Sequence, residues 1–187
     1  MKKELISSLL LTVQCLVFFC VVYTGVVYII ALIAPGKGEG EKIVAKDGKY
    51  YYANIAQSFT ADKYFWSRPS AVAYNAAGSG GSNKGPNNPD YLADVQKRID
   101  SFMVHNPGVK KSDIPSDLVT ASGSGLDPDI TVQGAMVQVQ RIAKVRGLSP
   151  DAVTALVGKH IEGPLLGCLG PEKVNVLKLN IDLDNLK

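Results

Sequence analysis

The strongest pattern along the chain is a run of thirty residues, Leu5 to Ala34, without a charged side chain. Lys2, Lys3 and Glu4 precede it, and Lys37 is the first charge after it. A helix needs about 20 apolar residues to cross a hydrocarbon layer roughly 30 Å thick, so this run is long enough to span with some tilt. A cleaved secretory signal would have a core of about 7–15 apolar residues and a small-residue cleavage site. This run is twice that length, and its end (Ala31-Leu32-Ile33-Ala34-Pro35) matches such a site only loosely. The expected organisation is a transmembrane anchor, residues 1–34, followed by a single domain, residues 35–187. Lys2 and Lys3 before the helix, against Lys37 and Lys42 offset by Glu39 and Glu41 after it, tilt the balance toward an N-terminus inside and a domain outside. Gln14, Thr12, Thr24 and Gly25 interrupt the apolar surface. An unpaired amide is costly in hydrocarbon, so Gln14 either faces a neighbouring helix or snorkels toward the headgroups. Tyr23 and Tyr28 mark the outer interface.

Beyond the anchor the periodicity changes. Pro35 to Gly40 is a glycine-rich exit from the membrane. Ile43 to Tyr52 reads as a hairpin, IVAK then Asp47-Gly48 then KYYY, because Asp-Gly between apolar runs is a strong two-residue turn signal. Ala53 to Phe59 reads as a short helix. Lys63 to Ser70 (KYFWSRPS) reads as extended, since Pro69 pushes Arg68 out of the helical region. Gly78 to Pro89 is a loop by composition. A helix comes next, capped by Asn88 with Pro89 in its first turn, its stripe being Leu92, Val95, Ile99 and Phe102. Asp117 to Ile130 is a second glycine-serine loop. Thr131 caps a helix running to about Arg146, with Ala135, Val139, Ile142 and Ala143 inward. Ser149-Pro150 starts another, with Val153, Leu156, Val157 and His160 on its stripe. Lys173 to Leu179 alternates as a strand, and a short polar tail closes the chain. Two or three strands with three or four helices make a small α+β domain.

Composition narrows the function. Two of the 20 basic and one of the 17 acidic residues precede Pro35, leaving 18 and 16 in the domain. That near-neutral balance argues against nucleic acid, which needs a clustered basic face. Cys15 and Cys20 lie in the apolar run, so Cys168 is alone in the domain and no disulfide forms within it. The glycine-serine loops invite an anion-nest reading, but a nucleotide loop needs G-x-x-x-x-G-K-[ST], and Lys84 is followed by Gly85 and Pro86. A tethered serine hydrolase would use Ser122 or Ser124, a base in His105 or His160, and Asp127 as orienter, yet the Gly-x-Ser-x-Gly elbow is missing. His160 on an apolar stripe reads as a satisfied core residue, and His105 at a helix end suits the dipole. Asp127 and Asp129 lack a third ligand nearby, so no metal site is assigned. Arg68 beside Phe65 and Trp66 reads either as an interface anchor or as a surface arginine lying over aromatic faces.

Taken in order, these residues resemble a known family. After the single anchor come Tyr64-Phe65-Trp66-Ser67-Arg68-Pro69-Ser70-Ala71, Tyr74-Asn75, and Ser79-Gly80-Gly81-Ser82-Asn83 with Asn88-Pro89. Beyond these stand DLVTASGSGLDPDI (Thr120, Ser122, Gly123, Ser124, Gly125, Leu126 and Asp127 at its centre) and a closing VNVLKLN with Leu183-Asp184. Nearly the whole chain resembles the C subunit of the Kdp-type potassium-transporting ATPase, a bacterial uptake complex. Members frequently carry His where Asp129 stands and Pro where Gln140 stands. The resemblance implies a non-catalytic accessory subunit in the bacterial inner membrane. Its partners would be a channel-like potassium-translocating subunit, a P-type ATPase subunit and a very small single-helix subunit. It implies no firmly bound cofactor, with ATP reached only through the ATPase subunit. It also implies a catalytic chaperone that raises ATP affinity, a role linked to the Ser122–Gly125 motif and to a glutamine, here Gln138. A domain placed outside lies away from cytoplasmic ATP, so such an effect would travel through subunit packing. The domain would cap the outer mouth of the translocating subunit, where Asp127 and Asp129 would enrich cations. The alternative without the resemblance is a membrane-tethered binding module.

Overall fold

The apolar run folds as one helix, Lys2–Ile33, long and apolar enough to cross a membrane. It comprises α1 (Lys2–Leu16), a wider π-helical stretch (Val17–Tyr23) and α2 (Thr24–Ile33). In hydrocarbon the polar groups of such a helix would meet no water and would need partners within the protein. Three hydroxyls find them by bonding back along the helix: Ser8 Oγ to the Leu5 carbonyl, Thr12 Oγ1 to Ser8, and Thr24 Oγ1 to Phe19, each at 2.9 Å. Thr24 reaches five residues back, as the π geometry requires. A Cβ on Gly25 would meet nothing within 4 Å, so no contact within the chain requires glycine there. This computed structural model describes residues 2–34, 36–46 and 48–186. Two compact units result, Met1–Lys42 and Ile43–Lys187.

The second unit is the expected α+β domain, with two small sheets. In the first, β1 (Lys42–Val44) pairs with β2 (Tyr50–Tyr52). The hairpin expectation holds at the strands, while Asp47 of the expected turn lies outside the described residues. In the second, β5 (Lys173–Asn175) lies between β3 (Asp129–Ile130) and β4 (Ile161–Glu162), both antiparallel to it. Around it pack α3 (Pro89–His105), α4 (Val132–Met136), α5 (Val139–Arg146), α6 (Pro150–Lys159) and α7 (Val176–Asn185). The caps are those the sequence signals. Asn88 accepts from the Asp90 and Tyr91 amides, Thr131 from Gly134, and Ser149 from Ala152. One core joins Phe65, Phe102, Ile142, Val153, Val157, Val174, Leu179 and Leu183, all almost fully enclosed.

Five local expectations are corrected. Ala53 to Phe59 is not a helix. Its polar groups are taken by distant partners, since Ala56 N–H donates to Leu126, Asn175 Nδ2 donates to the Ala53 carbonyl, and Ser67 Oγ to that of Gln57. The helix from Thr131 to Arg146 is two helices. The Gln138 side chain donates to the Gly134 carbonyl at 2.8 Å, occupying the acceptor its own amide would use in a continuous helix, and that amide turns to Ala135. Lys173 to Leu179 is a strand only to Asn175. There the Asn175 side chain caps Lys178 N–H at 3.0 Å, and the chain continues as α7, not as a polar tail. Val176, Leu179, Asn180 and Leu183, spaced for one helix face, are all buried. Leu92 stands 53 % exposed, because the core meets α3 only toward its C-terminal end, at Phe102. Finally, His160 is half-buried at the end of α6, its ring bonded to Asp182 at 2.9 Å, and not enclosed in the core.

Among the described residues the segment Lys63 to Ser70 has no strand partner, and side chains take over that role. Asn180 Oδ1 accepts Phe65 N–H and Asn180 Nδ2 donates to the Phe65 carbonyl, both at 2.9 Å. Replacing Asn180 with Ala leaves two buried backbone groups unmatched, at about 1–3 kcal/mol each. Urea denaturation of Asn180→Ala is expected to show a loss of about 2–6 kcal/mol, whereas an exposed change such as Leu92→Ala should stay within about 1 kcal/mol.

Candidate functional site, the interlocked glycine-serine loops

The loops singled out in the sequence meet. Residues 68–81 and 120–127 bond each other through backbone and small hydroxyls. Gly80 N–H and Ser79 Oγ donate to the Ser124 carbonyl at 2.9 and 3.0 Å. Ser122 N–H donates to the Pro69 carbonyl at 3.1 Å. Ser70 Oγ donates to Gly125 at 2.7 Å while accepting from the Val72 and Tyr74 amides. Tyr74 Oη donates to the Arg68 carbonyl at 2.7 Å, closing the first loop on itself. Within the second loop, Leu126 N–H meets Ser124 Oγ and Thr120 Oγ1 meets the Ser116 carbonyl.

Two glycines make this approach possible. A Cβ on Gly81 would lie 3.0 Å from the Gly123 carbonyl oxygen. Gly125 has φ +68°, and a Cβ there would come within 2.5 Å of Val72 Cγ2 and 2.8 Å of the Gly80 carbonyl oxygen. Glycine therefore serves close loop packing, and the second loop's amides at Ser122, Gly125 and Leu126 are already committed within the protein. Ser82 and Asn83 project at the exposed rim, Asn83 with φ +53°.

An ion pair fastens the same junction. Arg68 Nη1 donates to Asp127 Oδ2 at 2.7 Å, and Asp127 Oδ1 accepts Asp129 N–H. Next to it Lys173 Nζ reaches Asp129 Oδ2 at 2.6 Å, and that hydrogen bond holds the ammonium above its usual range. Arg68, Asp117, Asp127, Asp129 and Lys173 line a cleft of about 210 Å³. Asp127 and Asp129, expected to enrich cations, are thus each matched by a cation of the protein itself. Arg68 does not lie over the aromatic faces; Arg141 does, with its guanidinium 4.8 Å from the Trp66 ring.

The expected nucleophile and bases are not brought together. Ser122 is buried, His105 Nδ1 bonds Asp62 at 2.7 Å, His160 Nε2 bonds Asp182, and Asp127 holds Arg68. Gln138 is fully enclosed. Its oxygen accepts Trp66 N–H at 2.8 Å and Arg141 Nη2 at 2.6 Å, and its amide donates to Gly134. A ligand could reach it only by displacing those partners. Tyr64 sits apart from the loops, its hydroxyl on Asp184 at 3.0 Å and its pKa raised, chiefly by burial.

Sequence reasoning missed Arg141, which is buried and bonded to Asn106, to the Asp62 and Tyr64 carbonyls and to Gln138. A lone basic residue on an otherwise apolar helix face was the available signal. Arg98 is a second such residue, donating to the Val119 carbonyl at 3.0 Å. It lines a groove of about 410 Å³ with Phe59, Trp66, Tyr74, Phe102 and His105.

Gly125 and Gly147 form a matched pair for testing the interlock. Both have positive φ, but a Cβ on Gly147 would meet nothing within 4 Å. Gly147→Ala should lose about 1–2 kcal/mol from backbone strain alone. Gly125→Ala should lose roughly 2 kcal/mol more, because the loops must part. Equal denaturation midpoints would mean that the loops do not constrain each other.

The family model for KdpC, described as the c chain of K+-transporting ATPase, matches residues 5–185. The potassium-transporting ATPase KdpC subunit of Flavobacterium psychrophilum is 54% identical over 185 residues, covering 99% of this chain and all of the relative. The subunit of the same name from Flavobacterium johnsoniae is 55% identical over 185 residues with the same coverage. That from Caldanaerobacter subterraneus is 45% identical, covering 98% of this chain and 95% of the relative. On this agreement over essentially the whole length, the chain belongs to the KdpC family, the c chains of potassium-transporting ATPases.

Proposed function

We propose that the protein is the accessory subunit that holds a potassium-uptake ATPase together and raises its affinity for ATP without touching the nucleotide. The observation that carries this reading is the commitment of the glycine-serine motif and Gln138 to packing inside the domain. Ser122 and Gln138 are enclosed, the Ser122 amide is bonded to the Pro69 carbonyl of the first loop, and the Gly125 and Leu126 amides are bonded within the second. What remains outside is the surface of the packed loops, suited to holding partners.

The span Lys2–Ile33 crosses the inner membrane once, with Lys2 and Lys3 retained on the cytoplasmic side. The domain then lies outside, across the mouth of the channel-like translocating subunit. Gln14 and the unfilled surface at Gly25 offer the span's contacts with neighbouring helices. The small single-helix subunit completes the assembly. On the domain, the rim at Ser82 and Asn83 and the aromatic groove at Trp66, Tyr74 and Arg98 have the composition of binding hot spots. Any effect on ATP is then a coupling free energy between sites, and such couplings are typically about 1–3 kcal/mol.

A C-terminal affinity tag and mild detergent extraction from potassium-starved cells test the assembly. A P-type ATPase and a channel-like membrane subunit should be recovered in fixed ratio, and a folded chain eluting alone would overturn it. Removing the chain from the complex should raise the KM for ATP by about 5- to 150-fold, the span of ordinary allosteric couplings. A photoreactive ATP analogue should label the ATPase subunit and leave this chain unlabelled; labelling of Ser122 or Gln138 peptides would refute the packing route. Placement is read separately. Val104, 77% exposed on α3, changed to Cys in a Cys168→Ser background, should react with an impermeant maleimide added outside intact spheroplasts. Reaction only after permeabilisation would put the domain inside.

A further inference from the structure

Between β4 and β5 the chain makes a small protruding hairpin that the subunit reading does not use. Gly163 to Pro171, GPLLGCLGP, contains no charged residue. Leu165 and Leu169 form an isolated antiparallel bridge, exchanging hydrogen bonds of 2.9 Å in both directions. Gly167 N–H returns to Pro164 and Cys168 N–H to Leu165. The hairpin thus satisfies much of its own backbone. Its side chains are a different matter: Leu165, Leu166 and Leu169 stand 69%, 84% and 57% exposed. None of them joins the core.

Leu166 is the most telling of the three. It has φ +56°, a conformation that is unfavourable for leucine and natural for Gly or Asn. An exposed, strained leucine contributes nothing to the folded domain, and such outliers mark functional positions. A tip that is apolar in side chain and bonds much of its backbone within itself suits the bilayer interface, where water still reaches the remaining polar groups.

We infer that this hairpin is a second membrane contact, in which Leu165, Leu166 and Leu169 dip into the interface of the lipid bilayer. The inference rests on the Lys2–Ile33 helix being membrane-embedded. Residues 34–41 connect that helix to β1, and eight residues reach at most roughly 30 Å. The tether holds the start of β1 within roughly 30 Å of the end of that helix, and such confinement favours even a weak apolar contact through high effective concentration. The charges flanking the tip are mixed, Glu162 being paired with Lys173 and Lys178 and Glu172 standing beside Lys173, so attraction to anionic headgroups is not the driving force. The contact is apolar and should persist in zwitterionic lipid and at high salt.

The test uses the full chain in phosphatidylcholine vesicles, with and without bromine on the acyl chains. The protein has one native tryptophan, Trp66, so Leu166→Trp adds a single reporter at an exposed position. The added emission should fall about twofold or more in brominated lipid, as expected for a side chain at the acyl boundary, while wild-type emission stays level. Equal Leu166→Trp emission in both lipids would overturn the contact. So would a tip that stays open to aqueous iodide in vesicles and becomes shielded only when the potassium-transporting subunits are added, because the tip would then dock on protein. Flotation of the same vesicles reports the span independently, so loss of anchoring is distinguishable from absence of the tip contact.

Discussion

Arg141 enters the interior of the domain to meet four oxygens, none of them from a carboxylate. Nε donates to Asn106 Oδ1, Nη1 to the Asp62 and Tyr64 carbonyls, and Nη2 to Gln138 Oε1. Burial lowers its pKa to about 10, with Asp62 opposing, so at neutral pH it remains a cation. The acceptors come from three separate pieces of the structure: the end of α3, the segment before Phe65, and the break between α4 and α5. Arginine suits this position because its rigid fork offers several donors at fixed angles. Lysine would bring three donors on one nitrogen, too compact to reach acceptors spread around a guanidinium, and would leave some of those oxygens unmatched in a dry site. Gln138 extends the hub by one step, taking Trp66 N–H, and Trp66 lies beneath the guanidinium that Gln138 also binds.

That hub explains how a segment without strand partners keeps one conformation. Phe65 to Ser70 is held by Asn180, Gln138 and Arg141 from one side and by the second glycine-serine loop from the other. The loops are then positioned by a framework that is itself buried. Their glycines permit close packing, and their hydroxyls fill the remaining hydrogen-bond sites. Loops tied together in this way would have less conformational entropy to lose on meeting a partner.

Much of this was legible in the sequence. The span, the caps at Asn88, Thr131 and Ser149, the α6 stripe and the interacting loop regions arise from local chemistry. What failed was decided by distant residues. Ala53 to Phe59 has acceptable helix composition, but its backbone is claimed by Leu126, Asn175 and Ser67. The break at Gln138 depends on a side chain bonding to Gly134, which no period reveals. After Asn175, alternation and helical spacing coincide for several residues, and only the cap decides between them. Within the candidate site, the motif residues were identified, but their engagement with one another was not, because hydrogen bonds between loops leave no mark on composition.

The bonds at Phe65 and Ala53 carry one more consequence. Their partners, Asn180 and Asn175, lie 115 and 122 residues later in the chain. The early part of the domain therefore cannot complete its interior until α7 has been synthesised. During translation these two asparagines are among the last of the framework to emerge, so the bonds at Phe65 and Ala53 form late. It also means that a ribosome stalled shortly before α7 would release a product with an unfinished core, readily recognised by proteases. The closing of the core is thus tied to the length of the polypeptide that has been made.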